Sequence, residues 1–479
     1  MSVYLAIDLG AGSGRVMAIS HDATSLSLEL IHRFESPAVE ENGHLSWDLD
    51  LILSEIQIGL GLAGQTYGTI QSIGVDSWGV DYAWFNKQGA LLSQPHCYRD
   101  PRTEGLVEDV CALLGRDVIF EETGIQFMPI NTLYQLRADG ELPEEAARFL
   151  MIADVINYWL TGRMVCERTN ASTSQLYNPR TRSWSEKLAS GLKLPTSVLP
   201  PLIDPGQTVG LVKNSEVPVI AVGSHDTASA VAGVPATSES FAYLSCGTWA
   251  LLGTEISEPM IADAVLNHNF TNETGVADTF RLLKNINGLW IVQECRRVWQ
   301  ESDGQEISFD ELAALTEAAP SFQAFIDPDD PSFANRGDHP KAIQVFCEQS
   351  AQSIPTSRGD ILRVALESLA LKVATTLDQL ETLLLKRLDV LHVIGGGVND
   401  RLLMQSIANA IERRVIAGPT EATALGNALV QMIASGAIDS LASGRALLAK
   451  AIPTTIYEPN AYWESARQRF QRMLESEHS

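Results

Sequence analysis

The sequence lacks any uninterrupted apolar run near the roughly 18 residues that span a bilayer, and no basic segment precedes the first apolar stretch at Val3. A membrane-spanning helix and a secretory leader are not expected, and a cytoplasmic location is. Cysteine is scarce: Cys97, Cys111, Cys166, Cys246, Cys295 and Cys347 lie far apart, with no CxxC pair and no neighbouring histidine at metal-ligand spacing. Buried free thiols are expected. Positive charge is in deficit, 34 Lys and Arg against 59 Asp and Glu, for a net charge of −25. That balance excludes nucleic acid and anionic membrane as expected partners. It also repels a free nucleotide, so any nucleotide site needs local N–H dipoles, a few arginines and Mg²⁺ to reverse the field. GxxxxGK[ST], HRD, DFG, HExxH and GxSxG are all absent, which excludes the P-loop NTPases, protein kinases, zinc proteases and α/β-hydrolases.

What is present points to an α/β enzyme. With 479 residues, 45% of them hydrophobic, the chain can fill two substantial cores. Residues 3–7 read as a strand ending in Asp8 and a turn carrying Gly10, Gly12, Ser13 and Gly14, where backbone N–H groups can approach an anion. Three alternate glycines also match much of a dinucleotide fingerprint, but that fold needs a helix next. Residues 15–19 instead look like a second strand, and Leu26, Leu28 and Leu30 alternate as a third. A β-hairpin whose turn holds phosphate and an ordinary glycine hairpin turn both fit this pattern.

Helix entry is expected at Trp47-Asp48-Leu49-Asp50, with an apolar-periodic stretch from Leu51 to Ala63. Strands are expected at 73–76 and 80–85, which puts Asp76, Trp78, Gly79 and Asp81 where a strand leaves the core; they present ligand contacts or cap strand ends. Residues 97–201 read as an elaboration of the first domain. A strand from Val217 to Val222 leads to Gly223-Ser224-His225-Asp226-Thr227 and a small-residue helix. Ser224, His225 and Asp226 are adjacent in sequence, so they cannot face one another as a hydrolytic triad. By pattern, Asp226 is a helix N-cap before it is a catalytic base. A second hairpin is expected around Ser245-Cys246-Gly247-Thr248, echoing the first. Asp360 is expected to cap a long helix from 361 to 386. Gly395-Gly396-Gly397 follows a buried strand, with a helix beginning near Asn399; three consecutive glycines exceed what a turn needs, which favours ligand contact. Glu421 opens a small-faced helix, and residues 461–478 read as a surface-docked amphipathic helix.

Together these stretches resemble the FGGY carbohydrate kinases over nearly the whole chain, and within that family the bacterial members that act on L-rhamnulose. The resemblance rests on residues 8–17, 74–81, 98–103, 124–136, 224–230, 246–249, 283–290 and 417–422. It implies two actin-like (ribonuclease H-like) ATPase domains, 1–232 and 233–479, hinged about an interdomain cleft. It also implies that Ala11, Gly12, Ser13, Gly14 and Arg15 hold ATP phosphates, with Asp8 near Mg²⁺. Gly79, His225, Asp226, Thr227 and Asn285 are placed around the sugar, and Thr248, Gln293 and Gly396 around the nucleotide. Asp226 becomes the general base. The implied reaction moves the ATP γ-phosphate to O1 of L-rhamnulose. A carboxylate is a weak base, but a loose phosphoryl transition state demands little proton removal until late. Two residues depart from the family pattern: Cys246 and Gly12 stand where serine is expected. Family kinases for L-fuculose or xylulose, and a non-catalytic actin-like nucleotide sensor, are the competing readings; a sensor has no need of Asp226.

Overall fold

The computed structural model describes residues 2–22, 25–41 and 43–477. Among them, no helix is long and apolar enough to cross a membrane. The chain divides into two compact units that are not contiguous in sequence. The first runs up to Thr237 and includes Glu255–Leu282 and Glu421–Ile452; the second comprises Ser238–Thr254, Leu283–Thr420 and the chain from Pro453.

The first unit is built on a six-stranded sheet in the order Thr208–Leu211, Pro218–Ile220, Ser72–Ser77, Ser2–Leu9, Ser13–His21 and Leu26–Glu35. Ser2–Leu9 runs parallel to Ser72–Ser77 and antiparallel to Ser13–His21, so the glycine turn closes a hairpin and no helix follows it. Both faces of the sheet are covered, which explains why Ser2–Leu9 reads as continuous apolar sequence rather than as an alternation. Val3, Leu5, Ile7 and Leu9 pack with Ile52, Ile56 and Ala63 of helix Leu49–Thr66. Tyr4 and Ala6 pack on the other side with Leu425, Ala428, Leu429 and Met432 of helix Ala422–Ala434. Side chains alternate along a strand, so Asp8 emerges on the Tyr4 and Ala6 face. Asp76 does the same one strand over, where it is the register partner of Asp8.

Helix Asp226–Ala232 crosses helix Ala422–Ala434 at a distance only glycine allows. A Cβ on Gly426 would stand 1.8 Å from the Ser229 carbonyl oxygen, and one on Gly233 2.2 Å from that of Ala422. The small face expected of the helix after Glu421 is therefore a packing face.

In the second unit, five neighbouring strands of the sheet follow in the order Trp249–Ile256, Phe241–Cys246, Val390–Ile394, Val415–Ala417 and Thr455–Tyr457. The hairpin Phe241–Cys246/Trp249–Ile256, with Val390–Ile394 parallel beside it, repeats the hairpin-plus-parallel-strand pattern of the first unit.

Four sequence expectations are corrected. Helix Arg358–Leu384 is capped by Ser357, with Asp360 completing a capping box from its third position. The triple glycine enters a 3₁₀ turn, Gly396–Asn399, and the helix Arg401–Ile411 starts after the cap Asp400. The strand expected from Val80 begins at Tyr82, because Val80 has a left-handed φ of 66°. The terminal helix is Glu464–Glu477, and His478 lies outside the described residues.

Candidate active site

The first hairpin turn is held by its own backbone and by the third strand. Gly10 N–H donates to the Ser13 carbonyl at 3.0 Å, and Ser36 donates to the carbonyls of Gly10 (Oγ, 2.9 Å) and Gly12 (N–H, 3.3 Å). The glycines serve different ends. A Cβ on Gly12 would meet nothing within 4 Å, whereas one on Gly14 would lie 2.2 Å from the Phe34 ring. Gly14 is thus required by packing, while Ala11 and Gly12 form the exposed tip.

Below the turn lies a buried cluster of carboxylates. Arg15 donates to Asp8 at 2.8 Å and also pairs with Glu421, 406 residues away in sequence. Asn427 donates to one oxygen of Asp76 at 2.5 Å and is itself held by Gln431. The other oxygen of Asp76 is buried without a partner. Burial raises the Asp8 carboxyl to about 6; Arg15 opposes this, and the charges of Asp226 and Glu421 add to it. Asp76 is driven well above the ordinary carboxylate range by burial and then by Asp8. Asp8 and Asp76, buried side by side and repelling each other, with one Asp76 oxygen lacking a donor, form a hard-oxygen donor pair of the kind Mg²⁺ takes.

Asp226 is not the cap that its sequence context predicts. His225 occupies the N-cap position without a side-chain capping bond, and Asp226 is the first residue of the helix. Its side chain is therefore not spent on the helix backbone. It remains 31% exposed, accepts from Thr227 Oγ1 at 3.0 Å and lies 3.5 Å from His225 Nε2.

His225 is fixed from behind. Its Nδ1 lies 3.1 Å from Glu273, and Glu273 pairs with the fully buried Arg281 at 2.9 Å. Burial would raise the Glu273 carboxyl, but Arg281 and His225 hold it below its usual range. Arg281 Nη2, which can only donate, lies 3.1 Å from the same Nδ1, so that ring nitrogen is held between a guanidinium and a carboxylate and Nε2 is the one that faces Asp226. The backbone is fixed too. Glu167 accepts from Ser224 N–H at 3.0 Å, Thr169 N–H at 2.8 Å and Thr169 Oγ1 at 2.5 Å, and His225 N–H donates to Thr169 Oγ1 at 3.1 Å. Burial pushes Glu167 up to about 7 despite these donors.

Gly79 hangs on the same short helix, Arg168–Thr173. Its Cβ would stand 2.7 Å from Thr173 Oγ1, which also accepts from Val80 N–H at 3.0 Å. Of the polar residues around it, Asp81 is committed to the fold, since it accepts from Trp47 (2.6 Å), Gln135 (2.8 Å), Trp78 (3.0 Å) and Tyr98 N–H (3.1 Å). Asp76 belongs with Asp8.

In the second unit, Thr248 Oγ1 donates to Gln293 at 3.2 Å, and the Thr248 carbonyl accepts from Gly288 and Trp290 N–H. Gly396 has open space around it, while a Cβ on Gly397 would lie 2.4 Å from Cys246 Sγ. Cys246 therefore fills the space that Gly397 leaves, and burial raises its thiol to about 12. Asn285 sits half-buried on strand Phe280–Asn287. In the first unit the structure brings together Asp8, Arg15, His225, Asp226 and Thr227. It adds Asp76, Glu421, Glu167, Glu273 and Arg281. Asp76 and Glu421 lie inside the family-like stretches 74–81 and 417–422. Glu273 and Arg281 carry no sequence signal, since each is a single charged residue on a strand.

Comparisons with known proteins agree with this architecture. Residues 3–233 match the N-terminal domain, and residues 242–435 the C-terminal domain, of the FGGY family of carbohydrate kinases. The chain is 40% identical to a rhamnulokinase of Bacteroides thetaiotaomicron, covering 98% of this chain and 99% of that protein. It is 41% identical to one of Pectobacterium atrosepticum, covering 99% and 97%. Among solved structures, xylulose kinase from Lactobacillus acidophilus superposes with a TM-score of 0.80 at 17% identity, covering 99% of this chain and 96% of that one. Plasmodium falciparum glycerol kinase with ADP gives 0.75 at 19%, covering 99% and 97%. The fold is thus the mixed α/β, actin-like fold of these kinases.

Proposed function

The chain belongs to the FGGY family of carbohydrate kinases, and on that premise we propose that it transfers the γ-phosphate of ATP to O1 of L-rhamnulose, giving L-rhamnulose 1-phosphate and ADP. The observation that carries the chemistry is Asp226, a partly exposed carboxylate released from capping and buttressed through His225 by Glu273 and Arg281. The observation that carries the sugar is full-length identity of 36–41% to rhamnulokinases.

In this reading Asp226 accepts the O1 proton as the O1–P bond forms and the bond from phosphorus to ADP breaks. His225, Thr227, Gly79 and Asn285 orient the sugar, so that O1 lies in line with the γ-phosphate. Ala11 to Arg15 hold the phosphates at the hairpin tip, with Arg15 released from Asp8 and Glu421 to meet them. Thr248, Gln293 and Gly396 serve the nucleotide. Asp8, with Asp76, would hold Mg²⁺, whose charge when bound offsets that of the phosphates. All six cysteines are free, which supports a reducing, cytoplasmic setting.

The test is ADP release with MgATP across L-rhamnulose, L-fuculose, L- and D-xylulose, L-ribulose and glycerol, with a control lacking sugar. Preference for L-rhamnulose is expected. Preference for another sugar keeps the mechanism and overturns the substrate, and ATP binding without turnover on any sugar overturns the kinase reading.

A further inference from the structure

A second cluster of metal-binding side chains lies in the first unit, outside the carboxylate site. The hairpin of Ala38–Glu41 and His44–Trp47 is stitched to the segment before Arg102. Trp47 N–H donates to the Pro95 carbonyl at 2.8 Å, Cys97 N–H to that of Leu45 at 2.9 Å, and Ser46 bridges to His96. This pairing carries His44 to the rim and His96 to the wall of a cavity of about 310 Å³. The two imidazoles are 5.5 Å apart between centroids, edge to face. His44 Nδ1 lies 3.2 Å from Asp100 Oδ1, and one donor atom from each of His44, His96 and Asp100 falls within 4.8 Å of the others.

We propose that His44, His96 and Asp100 form a binding site for a borderline transition-metal ion of the Zn²⁺ class, clipping the hairpin to the Pro95–Arg102 segment. Two imidazoles and a carboxylate make a three-ligand set that leaves the fourth tetrahedral position to water. Zn–N and Zn–O bonds of about 2.0–2.2 Å require donors about 3.4 Å apart, so the widest edge closes by no more than about 1.4 Å. His44 can supply that movement, because its side chain is 52% exposed.

Three further features favour a cation. His96 Nδ1 is buried with no hydrogen-bond partner. The Asp100 carboxylate is aimed by backbone donors behind it, Leu45 N–H at 2.6 Å and Arg102 N–H at 2.9 Å. The nearby cation Arg102 is neutralised by Asp139 at 2.5 Å.

The test uses the full chain, stripped with a chelator and titrated with Zn²⁺, and separately with Co²⁺, under excess Mg²⁺ and without ATP, so that the carboxylate site is occupied. One equivalent of Zn²⁺ is expected, with a rise in thermal midpoint and visible Co²⁺ bands of a tetrahedral nitrogen–oxygen site. His44→Gln, on the exposed rim, is expected to weaken Zn²⁺ binding by at least about tenfold, and His96→Gln to do the same. No tight equivalent in the native protein, an octahedral Co²⁺ spectrum, or undiminished binding in folded His44→Gln would each overturn the site. Because the Co²⁺ spectrum is read on the native protein, a variant that fails to fold leaves the proposal decidable.

Discussion

Asp8 and Asp76 are register partners on adjacent parallel strands, both buried on the sheet face covered by helix Ala422–Ala434, with Arg15 bound to the first and Asn427 to the second. Two acids side by side with one fixed cation raise each other's pKa, and a divalent ion relieves that repulsion. In Asp76→Asn the amide keeps the Asn427 contact and removes one charge. The Mg²⁺ concentration for half-maximal activity should rise about tenfold or more, while the thermal midpoint without Mg²⁺ stays level or rises. Unchanged Mg²⁺ dependence would exclude Asp76 from the metal site.

Asp226→Asn should abolish sugar phosphorylation while leaving ATP affinity nearly unchanged, because the carboxamide keeps the shape and loses the proton acceptor. Activity above a few per cent of native, in an ADP-release assay, would remove Asp226 from the role of base.

Glu273 separates positioning from folding. Glu273→Gln keeps a hydrogen-bond acceptor near His225 and should lower kcat by about 10- to 100-fold with the fold intact. Glu273→Leu strands the fully buried Arg281 and should cost about 3–5 kcal/mol in denaturant unfolding. If the two variants behave alike, a hydrogen-bond acceptor at position 273 is not what orients His225.

Glu167 titrates near 7 in the folded chain, above its ordinary 4.5. Between those values the unfolded chain has released a proton that the folded chain retains, so the contribution to stability is complete below pH 4.5 and is lost as pH rises through 7. The stability gap between native protein and Glu167→Gln should therefore be larger at about pH 5 than at about pH 7.5. A gap that is constant or widens with pH contradicts this assignment.

The hairpin glycines should respond unequally. Gly12→Ser enters open space and should leave stability unchanged, with nucleotide affinity altered by no more than about 1 kcal/mol. Gly14→Ala meets the buried Phe34 ring and should cost about 1–3 kcal/mol. Equal thermal midpoints for the two variants would refute the packing role of Gly14.

Much of this was legible in order along the chain. Apolar strand sequence and a glycine turn marked the hairpin Ser2–Leu9/Ser13–His21, and small residues marked the helix after His225. Capping was less legible. Asp226 and Asp360 both look like caps, but the structure gives those positions to His225 and Ser357, because a one- to three-residue shift in helix start costs little locally and is decided by what the helix packs against.

Residue order and pattern were enough to establish most of the elements, the alternation along each strand and the motifs that mark the family; the one face that carries both Asp8 and Asp76 was set by the register of their two strands. What covers that face and what stands behind the Ser224–Asp226 segment were settled by long-range packing: Glu421 and Asn427 beside residues some 350 to 410 positions earlier, and Glu273 with Arg281 behind His225. The reason is physical. Periodicity is set by backbone geometry within a few residues, whereas burial, charge pairing and the resulting pKa shifts depend on which distant segments share a low-dielectric space, and local pattern carries no record of that.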